Sequence, residues 1–280
     1  MKTKITIICE NSVHVPFPLI AEHGLSILIE NEDATLFDTG QGFGIVNNLK
    51  AMGKDINAIQ RIILSHGHYD HTGGLLAVLQ NRRDKTPVFL HPDAFNDKRA
   101  LMTTGKDPIE IPIGMRASRE DYEKAGAVFQ NVTGLTKITK TISAITEVKR
   151  PPEWKSWDLR LKQKENNELL DDKFSDDLSL IIETESGPVV LLGCAHAGII
   201  EILYDFSEHL SRHMIHAVIG GTHLESAPDV YLERTIDALK WHRVQTVAVS
   251  HCTGFKTACR LAAEFKNEFA LASVGSVFEF

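Results

Sequence analysis

Three imidazoles and one carboxylate fall within six residues at His66-Gly67-His68-Tyr69-Asp70-His71. Neutral imidazole and carboxylate together suit zinc, with iron or manganese as alternatives. One ion cannot easily take all four groups from so short a turn and keep regular coordination. Two ions can, with His66 and His68 serving one and Asp70 and His71 the other. Such a pair lowers the pKa of bound water toward about 7 and clamps a phosphoryl or acyl oxygen. Asp70 is then placed to take or relay a proton, which makes it the candidate catalytic residue.

Other candidates end apolar runs of strand character. His251 stands in Ser250-His251-Cys252-Thr253-Gly254, after Val247-Ala248-Val249. His196 stands in Gly193-Cys194-Ala195-His196, and Cys194 competes with it, since a thiolate also ligates metal. His223 follows Gly220-Gly221-Thr222 and is expected to touch substrate or support a ligand, the glycines allowing close approach of backbone to a ligand or metal. Cys252 is expected to pack beneath the site. His91, before Pro92, is expected to be structural.

The elements that must position these groups are legible around them. Ile62-Ile63-Leu64-Ser65 reads as a strand entering the histidine turn, and Gly73-Gly74 leads into Leu75-Leu76-Ala77-Val78-Leu79, a helix. A strand-to-helix turn is where an α/β fold commonly places its chemistry. Residues 1 to 40 read as three strands, with a loop at Val15-Pro16-Phe17-Pro18. Ile45 to Met52 has helical spacing, and Pro87 to Leu90 reads as a buried strand. In the second half, Leu178 to Glu183 and Val189 to Leu192 form a hairpin. Helices are expected at Ile199 to Phe206, Val230 to Trp241 and Thr257 to Phe265. Strands are expected at His216 to Ile219, Val244 to Val249 and Ala272 to Phe278. The recurrence of strand, turn, histidine and helix fits two packed βαβ-rich halves around one site.

Residues 93 to 175 differ in character. Lys and Arg cluster there, Pro151-Pro152 punctuates, and Lys162 to Lys173 is strongly polar. Strands are expected at Ala127 to Phe129 and Ile138 to Ile145. Long segments with little structure of their own are commonly functional or mobile, and this one is expected to cap the substrate pocket.

A chain of 280 residues with 43% hydrophobic and 24% charged residues is ordinary for a soluble globular protein. No run approaches the ~20 apolar residues of a membrane span, and the start of the chain lacks a signal-peptide core. No membrane partner is expected, and a cytoplasmic location is. The four cysteines, Cys9, Cys194, Cys252 and Cys259, lack disulfide-framework spacing. A net charge of −7 argues against general affinity for nucleic acid.

The histidine stretch resembles the metal-binding signature of the metallo-β-lactamase superfamily. Asp38-Thr39-Gly40 resembles its first motif, whose Asp braces the metal site from beneath; Asp38 is therefore expected to orient a ligand imidazole. Glu22-His23-Gly24-Leu25-Ser26, Leu191-Leu192-Gly193-Cys194-Ala195-His196-Ala197-Gly198, Ile219-Gly220-Gly221-Thr222-His223-Leu224 and His251-Cys252-Thr253-Gly254 are similar to the 7,8-dihydropterin-6-methyl-4-(β-D-ribofuranosyl)aminobenzene-5′-phosphate synthase-like group within it. The motifs span about residues 20 to 255, nearly the whole chain.

The resemblance implies a single α/β domain over residues 1 to 280, a four-layer αββα sandwich with an insertion or cap at about 93 to 175. It implies two divalent metals, probed first as zinc, with His251 serving the second beside Asp70 and His71. It departs from the family where a bridging carboxylate usually ends a strand, since this chain has Cys194-Ala195-His196 there. Asp176-Asp177-Leu178-Ser179 stands where a further histidine motif would be. Imidazole in place of a carboxylate leaves the metals more positive, which favours a small, phosphate-bearing substrate. The implied reaction joins a dihydropterin pyrophosphate to an aminobenzene ribofuranosyl phosphate, releasing pyrophosphate, as in methanopterin biosynthesis. The alternatives are a hydrolase of a phosphoester, lactone or thioester, and a non-catalytic metal-dependent sensor. The sequence leaves the oligomeric state open.

Overall fold

The computed structural model describes residues 2–14, 16, 18–103, 105 and 107–280. Val15 and Phe17 of the expected proline loop lie outside the described residues. Two seven-stranded sheets pack face to face, with helices on both outer surfaces, forming the four-layer αββα sandwich.

The first sheet runs in the order Val277–Glu279, Lys4–Cys9, Ser26–Glu30, Ala34–Phe37, Ile59–Ile63, Thr86–Leu90, Ala127–Asn131. Its first four strands pair antiparallel and the last three join in parallel. The second sheet runs Phe269–Leu271, Thr246–Ser250, Ala217–Gly221, Gly187–Leu192, Ser179–Thr184, Ile142–Ile145, Leu135–Lys137. Here the first four strands are parallel and the rest antiparallel.

The alternation of side chains along each strand sorts the apolar residues into three layers. Ile7, Ile27, Phe37 and Ile63 face Leu180, Val189, Leu191 and Ile219 between the sheets. Leu28, Leu36 and Ile62 point the other way, under Ile45, Leu49, Leu75 and Val78 of the helices Ile45–Ala51 and Leu75–Gln80. Val190, Leu192, Val218 and Val247 lie under Leu203, Phe206, Ile236 and Leu261 of the helices Ile199–Leu210, Asp229–Trp241 and Phe255–Phe265. Both faces of these strands are covered, which is why they read as continuous apolar runs. Truncating one such leucine to alanine costs about 2–5 kcal/mol.

Two expected strands resolve differently. Within Ile138 to Ile145 only Ile142–Ile145 is strand; residues 138–141 turn it back on Leu135–Lys137. Ala272 to Phe278 is not one strand. Phe269–Leu271 pairs in the second sheet and Val277–Glu279 in the first, and Gly275, at φ 93°, bends the chain between them. Buried Ala272 and Val274 supply the apolar character that imitates a single strand.

The segment 93 to 175 contributes to the sandwich as well as covering it. Helix Arg119–Lys124, capped by a reciprocal Ser118–Asp121 pair, feeds Ala127–Asn131 into the first sheet. A separate four-stranded sheet, in the order Glu168–Asp171, Leu161–Glu165, Lys98–Thr103, Pro108–Pro112, stands over one edge. Buried Lys98 ties it down, its Nζ lying 2.9 Å from Asp172 Oδ2 and 2.7 Å from Asp176 Oδ1.

Candidate metal centre

The site residues read from the sequence follow the C-terminal ends of strands that pair in parallel. Asp38 follows Ala34–Phe37, His66 follows Ile59–Ile63, Cys194 and His196 follow Gly187–Leu192, His223 follows Ala217–Gly221, and His251 follows Thr246–Ser250. The two sheets present these ends along one shared edge, so His71 and His251, 180 positions apart, converge. The backbone there is forced: Asp38, Ala195, His223 and His251 have φ of 60°, 54°, 50° and 52°. Non-glycine residues in that region cost about 1–3 kcal/mol each and persist where the surroundings over-determine them.

His66, His68 and His196 form one cluster. His66 Nε2 lies 3.0 Å from His68 Nδ1. The His196 ring centroid is 4.8 Å from that of His66 and 4.9 Å from that of His68, edge on to both. All three are buried. Burial depresses their pKa values, that of His68 to about 4, and holds them in the neutral form that ligates. Neither nitrogen of His196 nor Nε2 of His68 has a hydrogen-bond partner among the described residues. Buried polar atoms seldom go unpaired, and these nitrogens are left with lone pairs that a cation could take.

Asp70, His71 and His251 form the other, and exposed His23 joins them. Asp70 Oδ2 lies 3.2 Å from His251 Nε2, 3.3 Å from His23 Nε2 and 3.9 Å from His71 Nε2. His71 Nε2 is 3.2 Å from His251 Nε2. Burial alone would raise the pKa of Asp70, but His71, His23 and His251 outweigh it and keep the carboxylate ionised.

Cys194 stands between the clusters, with Sγ 3.1 Å from His71 Nε2. The ligand atoms of His66, His71 and Cys194 lie within 4.8 Å of one another. The same spacing holds for His66, His68 and His196, for His23, Asp70 and His251, and for Cys194, His223 and Cys252. Imidazole, carboxylate and thiolate donors at these separations fit divalent zinc, iron or manganese. The intermediate place thus falls to Cys194, while His196 completes the cluster of His66 and His68. A thiolate there would carry the same single negative charge as the usual carboxylate, so the more positive site expected from imidazole at that position does not arise; burial keeps the Cys194 thiol protonated until a cation displaces the proton.

The bracing is dense. Asp38 Oδ2 lies 2.7 Å from His71 Nδ1 and accepts the Ser65 hydroxyl at 2.7 Å, while Oδ1 accepts the Ser65 N–H. Ser65 Oγ in turn lies 2.8 Å from His66 Nδ1. Each contact engages Nδ1 and leaves Nε2 facing the cluster. A side chain at Gly193 would meet Ser65 Oγ at 2.2 Å, so that strand end must be glycine.

Asp176 Oδ2 accepts the Gly67 N–H, and Asp177 Oδ2 accepts the Ala197 N–H. Adjacent carboxylates thus hold the two backbone pieces that carry the first cluster, in the segment where a histidine motif was sought. Burial pushes the Asp177 pKa up to about 6.

Sequence reasoning missed His23, Glu10 and Asn11. Glu10 Oε1 accepts the His251 N–H at 2.7 Å, and Asn11 Oδ1 lies 2.9 Å from His251 Nδ1. His23 sits in the Glu22-His23-Gly24 motif, the one available signal. His223 lies beside the first cluster, 4.3 Å from the His196 ring, and its Nε2 is 3.5 Å from Asp158. Burial would lower its pKa, but Asp158 and Cys252 raise it to about 9. Cys252 packs against the floor, with its Sγ accepting the His223 N–H. Gly221 makes room for that sulfur and for the neighbouring backbone rather than for a ligand. His91 lies apart, with Nε2 3.6 Å from Glu147.

The clusters open into a cleft of about 230 Å³. Ala100, Met102, Ile113, Asp158, Arg160 and Leu161 bring the four-stranded sheet and its approaches to the cleft wall.

Residues 20–238 match the model of the metallo-β-lactamase superfamily. The chain is 31% identical to the 7,8-dihydropterin-6-methyl-4-(β-D-ribofuranosyl)-aminobenzene-5′-phosphate synthase of Methanocaldococcus jannaschii, over 99% of this chain and 96% of that one. It is also 31% identical to an uncharacterized protein of the same organism, over 98% of each chain. A crystal structure described as a metal-dependent hydrolase of the β-lactamase superfamily superposes with a TM-score of 0.82 at 28% identity, covering 99% of both chains. No helix among the described residues is long and apolar enough to cross a membrane. With its ligand-bearing strand ends gathered on one edge of an αββα sandwich, and with a family match over most of its length, the chain belongs to the metallo-β-lactamase superfamily.

Proposed function

We propose that this protein is a metalloenzyme acting on a small phosphate-bearing substrate, and that it joins an arylamine carrying a ribosyl phosphate to a pterin pyrophosphate, releasing pyrophosphate. The observation that carries the reading is the pair of ligand clusters meeting at Cys194 on the floor of one cleft. The near full-length similarity to a named synthase supports the choice of reaction.

His66, His68 and His196 would hold one divalent ion, and Asp70, His71, His251 and His23 the other, zinc being the first candidate. Bound there, two cations supply positive charge against an anionic leaving group. Asp38 and Ser65 fix the imidazoles of His71 and His66 so that their Nε2 atoms need no reorganisation. Arg160, on the cleft wall, offers its guanidinium to a phosphate oxygen; Asp158 holds it in place through contacts of 2.7 and 2.8 Å. Asp70 stands at the cleft surface, where it can accept the proton that the attacking amine gives up.

A second reading, hydrolysis of a phosphoester, lactone or thioester, is favoured by the superposition on a protein described as a hydrolase. The deciding experiment supplies the metal-replete protein with the pterin pair and, separately, with a phosphodiester and a lactone. Pyrophosphate release that requires both pterin-pair substrates supports transfer. Turnover of a phosphodiester or lactone without pyrophosphate release from the pair overturns it in favour of hydrolysis.

A further inference from the structure

A second cavity, of about 510 Å³, lies beside the metal cleft and shares Asp158 and Leu161 with it as a common wall. Arg150, Lys155 and Lys173 line it. None of these three cations has an ion-pair partner among the described residues. The three carboxylates of the lining each pair with a further cation, Asp158 with Arg160, Asp171 with Lys162 and Asp172 with buried Lys98, while Arg150 and Lys155 act on Asp172 and Asp171 only from farther off. In a chain of net charge −7, this leaves a local excess of positive charge at one hollow.

Apart from Ser156, the rest of the lining is apolar. Trp154 packs under the Arg150 guanidinium at 4.4 Å, and Arg150 also donates to the Lys173 carbonyl, so the arginine is already fixed in place. Leu159, just before the hairpin, and Leu170, on it, are 66% and 42% exposed and add apolar surface beside Trp154. A wall of this kind matches a ligand with a flat apolar body and a charged end.

We infer that this cavity is a distal subsite for a phosphomonoester carried on an aromatic stem, which reaches from the metal cleft over the Asp158–Leu161 wall to Lys155 and Lys173. The inference rests on the reading of a phosphate-bearing substrate and assigns one of its ends. The reacting end occupies the metal cleft while the far phosphate pairs with the lysines, so the substrate is selected by its length as well as by its charge. Asp158 does not repel it, because Arg160 neutralises that carboxylate.

Phenyl phosphate is the probe, titrated calorimetrically into the purified full-length protein. Lys155 and Lys173 are exposed, so the Lys155→Ala, Lys173→Ala double variant tests charge with little risk to the fold. Its affinity is expected to fall roughly tenfold or more, through loss of two charge-assisted contacts. The Lys155→Arg, Lys173→Arg variant should bind as the parent does, and His68→Ala should keep the affinity. Undiminished binding by the double alanine variant overturns the subsite. Binding lost in His68→Ala and kept in the lysine variant does the same, since it places the phosphate at the metals. The titration does not depend on turnover, so failure of the transfer reaction leaves its result readable.

Discussion

Asp38 Oδ2 lies 2.7 Å from His71 Nδ1, and both side chains are wholly buried. The carboxylate fixes which nitrogen of His71 faces the cleft, and through Ser65 it does the same for His66, so one residue orients a ligand in each cluster. Asp38→Asn keeps the shape but weakens the acceptor. Metal affinity is expected to fall about 10–100-fold with the fold intact, as for other outer partners of ligating histidines. Chelator competition measures it, and unchanged affinity would show that Asp38 serves only the backbone turn.

Cys194, rather than His196, stands between the clusters, so the two residues should respond differently. A Cys194→Ala variant is expected to lose one of two metals, because two cations a few ångströms apart repel without a bridging anion. Cys194→Asp should retain both. His196→Asp should weaken the metal of the His66 and His68 cluster without tightening the pair. Metal stoichiometry by native mass spectrometry separates these outcomes, and a His196→Asp protein that holds both metals more firmly would return the bridging place to residue 196.

Among the described residues Lys98 is the one fully buried lysine, and it ties the four-stranded sheet to the sandwich. Burial alone would raise the Asp176 pKa, but Lys98 outweighs it and lowers it. A carboxylate with a depressed folded pKa adds stability above its unfolded value of about 3.9, lost as the pH falls through the folded one. Lys98→Met leaves two buried carboxylates without a cation, which is expected to cost about 3–5 kcal/mol at neutral pH. In that variant the carboxylates favour the protonated form, so its deficit should shrink on acidification. Denaturant melts at pH 7 and pH 5 test this, and a deficit that is small or independent of pH contradicts it.

Most elements of the two large sheets could be read from apolar runs and turn residues, because their central strands are covered on both faces, whereas the four-layer αββα arrangement followed from the family resemblance. The candidate ligands His66, His68, Asp70, His71, His196 and His251 could be singled out in the sequence because the types cluster at strand ends, and the structure brings them together. What was not legible depends on long-range contact. His23 is exposed and stands alone in Glu22-His23-Gly24, away from the other histidines in sequence; it becomes relevant because Asp70 lies 3.3 Å away. Glu10 meets His251 across 241 residues of sequence. The hairpins Lys98–Thr103 with Pro108–Pro112, and Leu161–Glu165 with Glu168–Asp171, are polar because much of their surface faces solvent, so alternation gave little signal.

That four-stranded sheet supplies Arg160 and Leu161 to the cleft wall or its margin. Replacing residues 162–170 with a short turn is expected to raise KM or change the substrate profile while leaving metal content unaltered. Arg160→Ala alone should raise KM roughly tenfold with kcat largely kept, the signature of a lost binding contact. Unchanged kinetics on the true substrate after trimming would make the sheet a structural edge and no more.

Elemental analysis of the purified protein reads directly whether the two clusters hold metal. The parent chain is expected to carry two divalent ions per molecule, zinc foremost. The His68→Ala, His71→Ala double variant, taking one ligand from each cluster, should lose metal and activity together while its circular dichroism stays that of the parent. A parent protein without stoichiometric metal, or a double variant with its full metal content, would contradict the claim.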